Sequence, residues 1–126
     1  TQWKLKPPEQ LRLIRLSVKD LGFPNGATIE QLYDAAIGLG LEFCPAEVGP
    51  RLCLQDMNPL IDKYLFIGMK QLFKVTSNKM ISDRIIFYIE NQDFAYNRWS
   101  LNDLNANPMS WWDGDVQFVF CLPKKF

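Results

Sequence analysis

Apolar positions recur along this chain with two periods, one helical and one extended, and the change between them marks the elements. The helical period is clearest after Gly26. Ile29, Leu32, Tyr33, Ala36 and Ile37 fall at i, i+3, i+4, i+7 and i+8, a single apolar stripe. Glu30, Gln31 and Asp34 occupy the other side, with the two acids near the end where the helix dipole favours negative charge. Thr28 is placed to accept from a first-turn N–H, and Gln31 three residues on completes a capping-box pattern. Gly40 can take the left-handed conformation that ends a helix. The spacing predicts a three-turn helix that needs an apolar partner surface, because a helix of that length is marginal in water. Residues 44–50, CPAEVGP, leave room for at most one helical turn with Gly49-Pro50 as its exit. Residues 51–55 then read as a short strand, Leu52 and Leu54 facing one way and Cys53 the other.

The extended period governs most of the remainder. Residues 11–19 fit either period, and the alternation of Ile14, Leu16 and Val18 with Arg15, Ser17 and Lys19 favours a strand. Residues 21–26, LGFPNG, are a turn, and residues 1–10, with Pro7-Pro8, read as an N-terminal arm before a single domain over 11–126. Residues 56–63 read as a loop around Asn58-Pro59. Residues 64–69, YLFIGM, are apolar on both faces, as a central strand covered on both sides would be, and residues 70–75 continue it after a bend or form a second element. Residues 76–83 read as a hairpin connection, and residues 84–90, RIIFYIE, as the strongest strand, with Ile85, Phe87 and Ile89 on one face and Ile86, Tyr88 and Glu90 on the other. Residues 91–97 turn and can start a short strand through Phe94 and Tyr96. Residues 99–115 read as a loop tied down by Trp99, Leu101, Leu104, Met109, Trp111 and Trp112, and Asp113-Gly114 turns into a last strand over 116–122 that Pro123 ends. The expectation is an α+β fold: one main helix packed on a twisted antiparallel sheet of about four to six strands.

Composition narrows the function classes without choosing one. The chain has 126 residues, 48% hydrophobic and 22% charged, enough for one domain with its own core. Lys plus Arg and Asp plus Glu each number 14, so there is no basic excess and no specific nucleic-acid signal. The basic residues of the first nineteen positions, Lys4, Lys6, Arg12, Arg15 and Lys19, read as a solvated edge. No apolar run approaches the ~18 residues of a membrane span. Cys44, Cys53 and Cys121 do not make a disulfide framework, and three reduced cysteines point to a cytoplasmic setting, although a leader upstream of Thr1 is compatible with the sequence.

The chain contains no histidine, which removes Ser-His-Asp and Cys-His catalysis and histidine-ligated metals. The cysteine spacing is no zinc pattern, and neither a Walker motif nor G-x-G-x-x-G is present, so no cofactor and no metal are expected. Cys44 lies before a short helix start, where a thiol pKa can fall, but it has no identifiable base and reads as a packing residue. Glu47 and Arg51 flank Gly49-Pro50 and suit a structural ion pair across that turn. Glu90, Asp113 and Asp115 are the carboxylates nearest aromatic sequence, the combination that glycan recognition or glycoside hydrolysis uses.

The stretch LGFPNGAT, the helix after it, and LGLEFCPAEVGPRLCL together resemble a family of small bacterial proteins. Looser echoes follow in FIGMKQLF, RIIFYIE and FVFCLPKK, so the resemblance covers most of the chain from about residue 12. It implies a single compact domain of bacterial origin and carries no activity, ligand or catalytic residue with it. The family pattern has an Arg where this chain has Cys53, and residues 76–83 depart freely. The leading functional expectation is a non-enzymatic domain that binds another protein or a small polar ligand. Its candidate contact surface is Trp99, Trp111, Trp112, Asp113 and Asp115. The alternative is a small hydrolase drawing its carboxylates from Glu47, Glu90, Asp113 or Asp115.

Overall fold

The computed structural model of the protein describes residues 2–4, 11–53, 64–75, 82–93, 98–106 and 109–123. In chain order the elements are β1 (Gln2–Lys4), β2 (Arg12–Ser17), a 3-10 turn (Lys19–Leu21), β3 (Ala27–Thr28), α1 (Ile29–Gly38) and α2 (Val48–Cys53). They continue with β4 (Tyr64–Ile67), β5 (Leu72–Val75), β6 (Ser82–Asp93), β7 (Arg98–Asn105), β8 (Trp111–Trp112) and β9 (Gln117–Cys121). The fold is α+β, as the periodicities predict. The expected loop at 56–63, the 76–81 connection, Phe94, Tyr96 and Pro7-Pro8 lie outside the described residues.

Helix α1 is set by the local signals read from the sequence. The Thr28 Oγ1 accepts from the Gln31 N–H at 3.3 Å, and the Gln31 Oε1 accepts from the Thr28 N–H at 3.0 Å, closing the capping box. Gly40 has φ 85°, and its N–H donates to the Ile37 carbonyl while the Leu41 N–H reaches back to Ala36, the two bonds of a left-handed helix stop. Ile29, Leu32, Tyr33 and Ala36 are buried. Ile37 is 48% exposed, against its expected place in the stripe. It sits about 80° round the helix from Ile29, at the margin of the covered arc.

Among the described residues seven strands form the main sheet, and β3 and β8 pair as a separate two-stranded ribbon. Ile85 of β6 pairs with both Leu72 of β5 and Asn105 of β7, and Tyr88 pairs with both Phe66 of β4 and Asn102 of β7. Strands β4 and β5 therefore lie end to end on one flank of β6, with β7 on the other. Seven strands thus fill six positions, in the order β1, β2, β9, β4/β5, β6, β7. Among the described pairings all are antiparallel except β4 with β9, which is parallel.

Register assigns the two faces. Leu65, Ile67, Ile85, Phe87, Ile89, Leu101, Val119 and Cys121 share one; Phe66, Ile86, Tyr88, Glu90, Phe118 and Phe120 share the other. Helix α2 covers the first face: a Cβ on Gly49 would meet Leu101, Ile67 and Phe87 at 2.9, 3.6 and 3.7 Å. Helix α1 covers the second, where Tyr33 meets Phe120 edge-on at 6.1 Å. The central strands thus carry apolar residues on both sides because a helix covers each side.

Two sequence expectations are corrected. Residues 51–55 do not begin a strand: Arg51, Leu52 and Cys53 complete α2, with Leu52 fully buried. Gly49-Pro50 is no exit because Pro50 occupies the first turn, where backbone N–H groups have no intrahelical partner to lose. The segment 99–115 is not one long loop, since 98–105 forms β7 and 111–112 forms β8. Its Asn, Asp and Ser residues lower strand propensity, yet among the described residues β7 pairs along its β6 flank, where the ladder outweighs the side-chain preference.

Candidate contact surface

The β3–β8 ribbon holds the most exposed tryptophan among the described residues. Strand β3 runs directly into α1, and the Ile29 N–H donates to the Ser110 carbonyl at 3.0 Å, tying the ribbon to the helix start. Ala27 pairs with Trp112 and Thr28 with Trp111, so adjacent indoles point to opposite sides. Trp112 is 6% exposed and stands edge-on to Phe66 at 4.8 Å and Phe118 at 5.2 Å. Trp111 is 60% exposed, and Met109 two residues earlier is 72% exposed.

Trp111 is exposed without being loose. Gly26 has φ 101°, and a Cβ there would lie 2.8 Å from the Trp111 Nε1 and 2.8 Å from the Trp112 carbonyl. One side of the indole therefore rests on bare backbone, in a space that any other residue would fill, and the other side faces solvent. Beneath it the Trp112 Nε1 is buried with no hydrogen-bond acceptor among the described residues. Its ring is held by aromatic packing rather than by a directed bond.

The other sequence-derived candidates scatter. Asp113 and Asp115 are exposed on the turn into β9, closed by the Val116 N–H donating to the Asp113 carbonyl at 3.1 Å. Trp99 is half-buried on β7 opposite Asn91 and packs against the core, on the α2 face by register. Arg51 is half-buried on α2, Glu47 is exposed in the turn before it, and Glu90 is half-buried on the α1 face beside Tyr64. Trp111 and Asp113 are both exposed, two positions apart at the end of β8, whereas Trp99 lies on the α2 face of the main sheet.

Sequence reasoning passed over Tyr64 and Tyr33. Tyr64 is 42% exposed and lies 6.1 Å from Tyr88, which lies 5.1 Å from Phe66, so a run of rings leads from the Trp112 anchor to the surface. The alternation of residues 84–90 already set Tyr88 on the face of Glu90, and that was the available signal. Tyr33 carries a tertiary role that no local pattern announces. Its hydroxyl donates to the Met69 carbonyl at 2.7 Å and accepts from the Met69 N–H at 3.2 Å, satisfying the backbone where β4 breaks before β5. Burial first, against the opposing hydrogen bond to Met69, pushes the Tyr33 phenol well above its ordinary range.

Two clefts adjoin that break. One, of about 310 Å³, is lined by Phe43, Cys44, Pro45, Ala46, Met69, Lys70 and Leu72. The other, of about 240 Å³, is lined by Ile29, Glu30, Tyr33, Asp34 and Gln71. Among the described residues no group of three or more His, Cys, Asp or Glu side chains is placed to hold a metal ion. No described helix is long and apolar enough to cross a membrane. Comparisons of the chain with protein-family models, with curated proteins and with solved structures find no match.

Proposed function

We propose that this protein is a binding domain that recognises another protein through the outer face of the β3–β8 ribbon, with Trp111 as the anchor. The observation that carries the reading is the division of labour within one two-residue strand. Trp112 is sunk into the aromatic core, and Trp111 is held at 60% exposure against Gly26. A large ring fixed in an exposed position loses little conformational freedom on binding, which is why tryptophan is enriched at binding hot spots. Met109 and Asp113 beside it supply an apolar and an acidic neighbour. The carboxylate-hydrolase alternative needs two carboxyl groups about 5–10 Å apart across one cleft. Glu90 lies on the α1 face, Glu47 in the turn before α2, and Asp113 and Asp115 are both exposed on the turn into β9.

The test is Trp111→Ala, made together with Asp115→Ala. The expected outcome is a melt like the wild type for both and loss of captured partner for Trp111→Ala alone. A photo-crosslinker at position 113 should attach to the same partner. Equal capture by wild type and Trp111→Ala at equal stability would remove the ribbon face as the contact surface.

A further inference from the structure

The main-sheet end of the larger cleft contains a feature that partner binding does not use. Residues 42–44 run beside the end of β9: the Glu42 N–H donates to the Cys121 carbonyl at 2.8 Å, and the Cys121 N–H returns to the Glu42 carbonyl at 2.9 Å. Where β4 stops, the Gly68 N–H bonds to Val119 at 2.8 Å and the Cys44 N–H to Gly68 at 2.7 Å. This frame fixes Cys44 and Cys121 on the same face. Their sulfurs are 3.5 Å apart, and the Cys44 Sγ donates onward to the Val119 carbonyl at 3.4 Å. Each cysteine is only 4% exposed, but Cys44 lines the cleft of about 310 Å³.

We propose that Cys44 and Cys121 are a modification site at which a small peroxide forms a reversible intramolecular disulfide. The sulfurs are already in contact, so closing the bond requires a further approach of about 1.5 Å to the ~2.05 Å S–S length. The backbone ladder around them is compatible with a change that small. Cys44, reached from the cleft, is the attacking group. Its thiolate displaces hydroxide from hydrogen peroxide, giving a sulfenic acid, and the hydroxide takes up the thiol proton as water. The Cys121 sulfur then attacks the Cys44 sulfur, the S–O bond breaks, and a second water leaves with the Cys121 proton. Two thiols are oxidised, one peroxide is reduced, and the products are one disulfide and two waters. Cys53, half-buried on α2, is not placed in this pair.

Contact with Cys121, then burial, pushes the Cys44 thiol far above its ordinary value, so the resting Cys44 thiol is protonated and reaction is gated by formation of its thiolate. The rate of oxidation should therefore rise about tenfold per pH unit over the neutral to mildly alkaline range.

The experiment exposes the native chain to hydrogen peroxide, quenches with a thiol-blocking reagent, and maps the peptides. The expected result is a Cys44–Cys121 linked peptide with loss of two of three titratable thiols and of the mass of two hydrogens, reversed by dithiothreitol; Cys53→Ser should give the same linked peptide and lose both of its thiols. Because mapping is done on the wild-type chain, the result does not depend on how well Cys44→Ser or Cys121→Ser folds. Oxidation confined to Cys53, an intermolecular dimer through Cys53, or an intact Cys44–Cys121 dithiol after Cys53 has reacted would each overturn the proposal.

Discussion

The Tyr33–Met69 junction and the Trp112 anchor are both buried aromatic contacts between an outlying element and the main sheet, and they are fastened in opposite ways. At the junction the phenol both donates and accepts, so the broken strand between β4 and β5 has its backbone groups satisfied. At the ribbon the indole N–H is buried with no acceptor among the described residues, and the contact rests on ring packing against Phe66 and Phe118. Directed bonds specify position; apolar packing supplies free energy with looser geometry. Tyr33 thus fixes α1 to one place on the sheet by directed bonds, whereas the ribbon, tied to the start of α1 through Ser110, meets the sheet through the apolar packing of Trp112 and leaves Trp111 exposed.

The largest losses are expected at the buried ends of these two contacts. Trp112→Ala should cost about 3–5 kcal/mol, and Leu32→Ala in α1 about 2–5 kcal/mol, measured by denaturant melts. A loss below ~1 kcal/mol in either would mean that the element does not depend on that contact. Trp112→Phe should be much milder than Trp112→Ala, since it keeps ring contact and removes the unsatisfied donor.

Tyr33→Phe sharpens the other side. It strands the Met69 N–H and carbonyl and should cost about 1–3 kcal/mol. It should also change the alkaline limb of stability. The Tyr33 phenol is raised above its ordinary value of 10.0 in the folded state, so its contribution is fully present below pH 10. That contribution is lost as pH rises above it, because the unfolded chain then releases a proton that the folded chain keeps. Wild type should lose stability faster than Tyr33→Phe above that pH, and parallel curves would sever the hydroxyl from the junction.

Smaller again is Gly26→Ala. It combines a positive φ with a Cβ that would press on Trp111 and the Trp112 carbonyl, so a loss of more than about 1 kcal/mol is expected, with a shifted Trp111 fluorescence. Trp111→Ala should be nearly silent in stability, within about 0.5 kcal/mol, while abolishing capture. If Trp111→Ala and Trp112→Ala destabilised equally, the division between anchor and contact would fail.

Local rules were enough for α1, because its cap, its stripe and its glycine stop all act within one or two turns of the chain. They were also enough for the core strands: residues 64–67 and 84–90 are apolar on both faces, and only burial on both sides accommodates that. The pairing of Trp111 with Trp112 made an exposed indole legible, although not which of the two it would be. What the local pattern misjudged was α2 and β7. Pro50 reads as a breaker until it is known to sit in a first turn, and RWSLNDLN reads as a loop until β6 supplies its ladder. Only the tertiary structure decided that Cys44 meets Cys121 rather than Cys53, that Tyr33 closes the gap after β4, and that Trp99 lies on the α2 face of the main sheet. Cys44 and Cys121 are 77 positions apart and Tyr33 and Met69 are 36 apart, and which distant residues arrive at one place is a property of sheet order and register. Hydrophobic spacing encodes which face of an element is buried, but not which distant element will cover it.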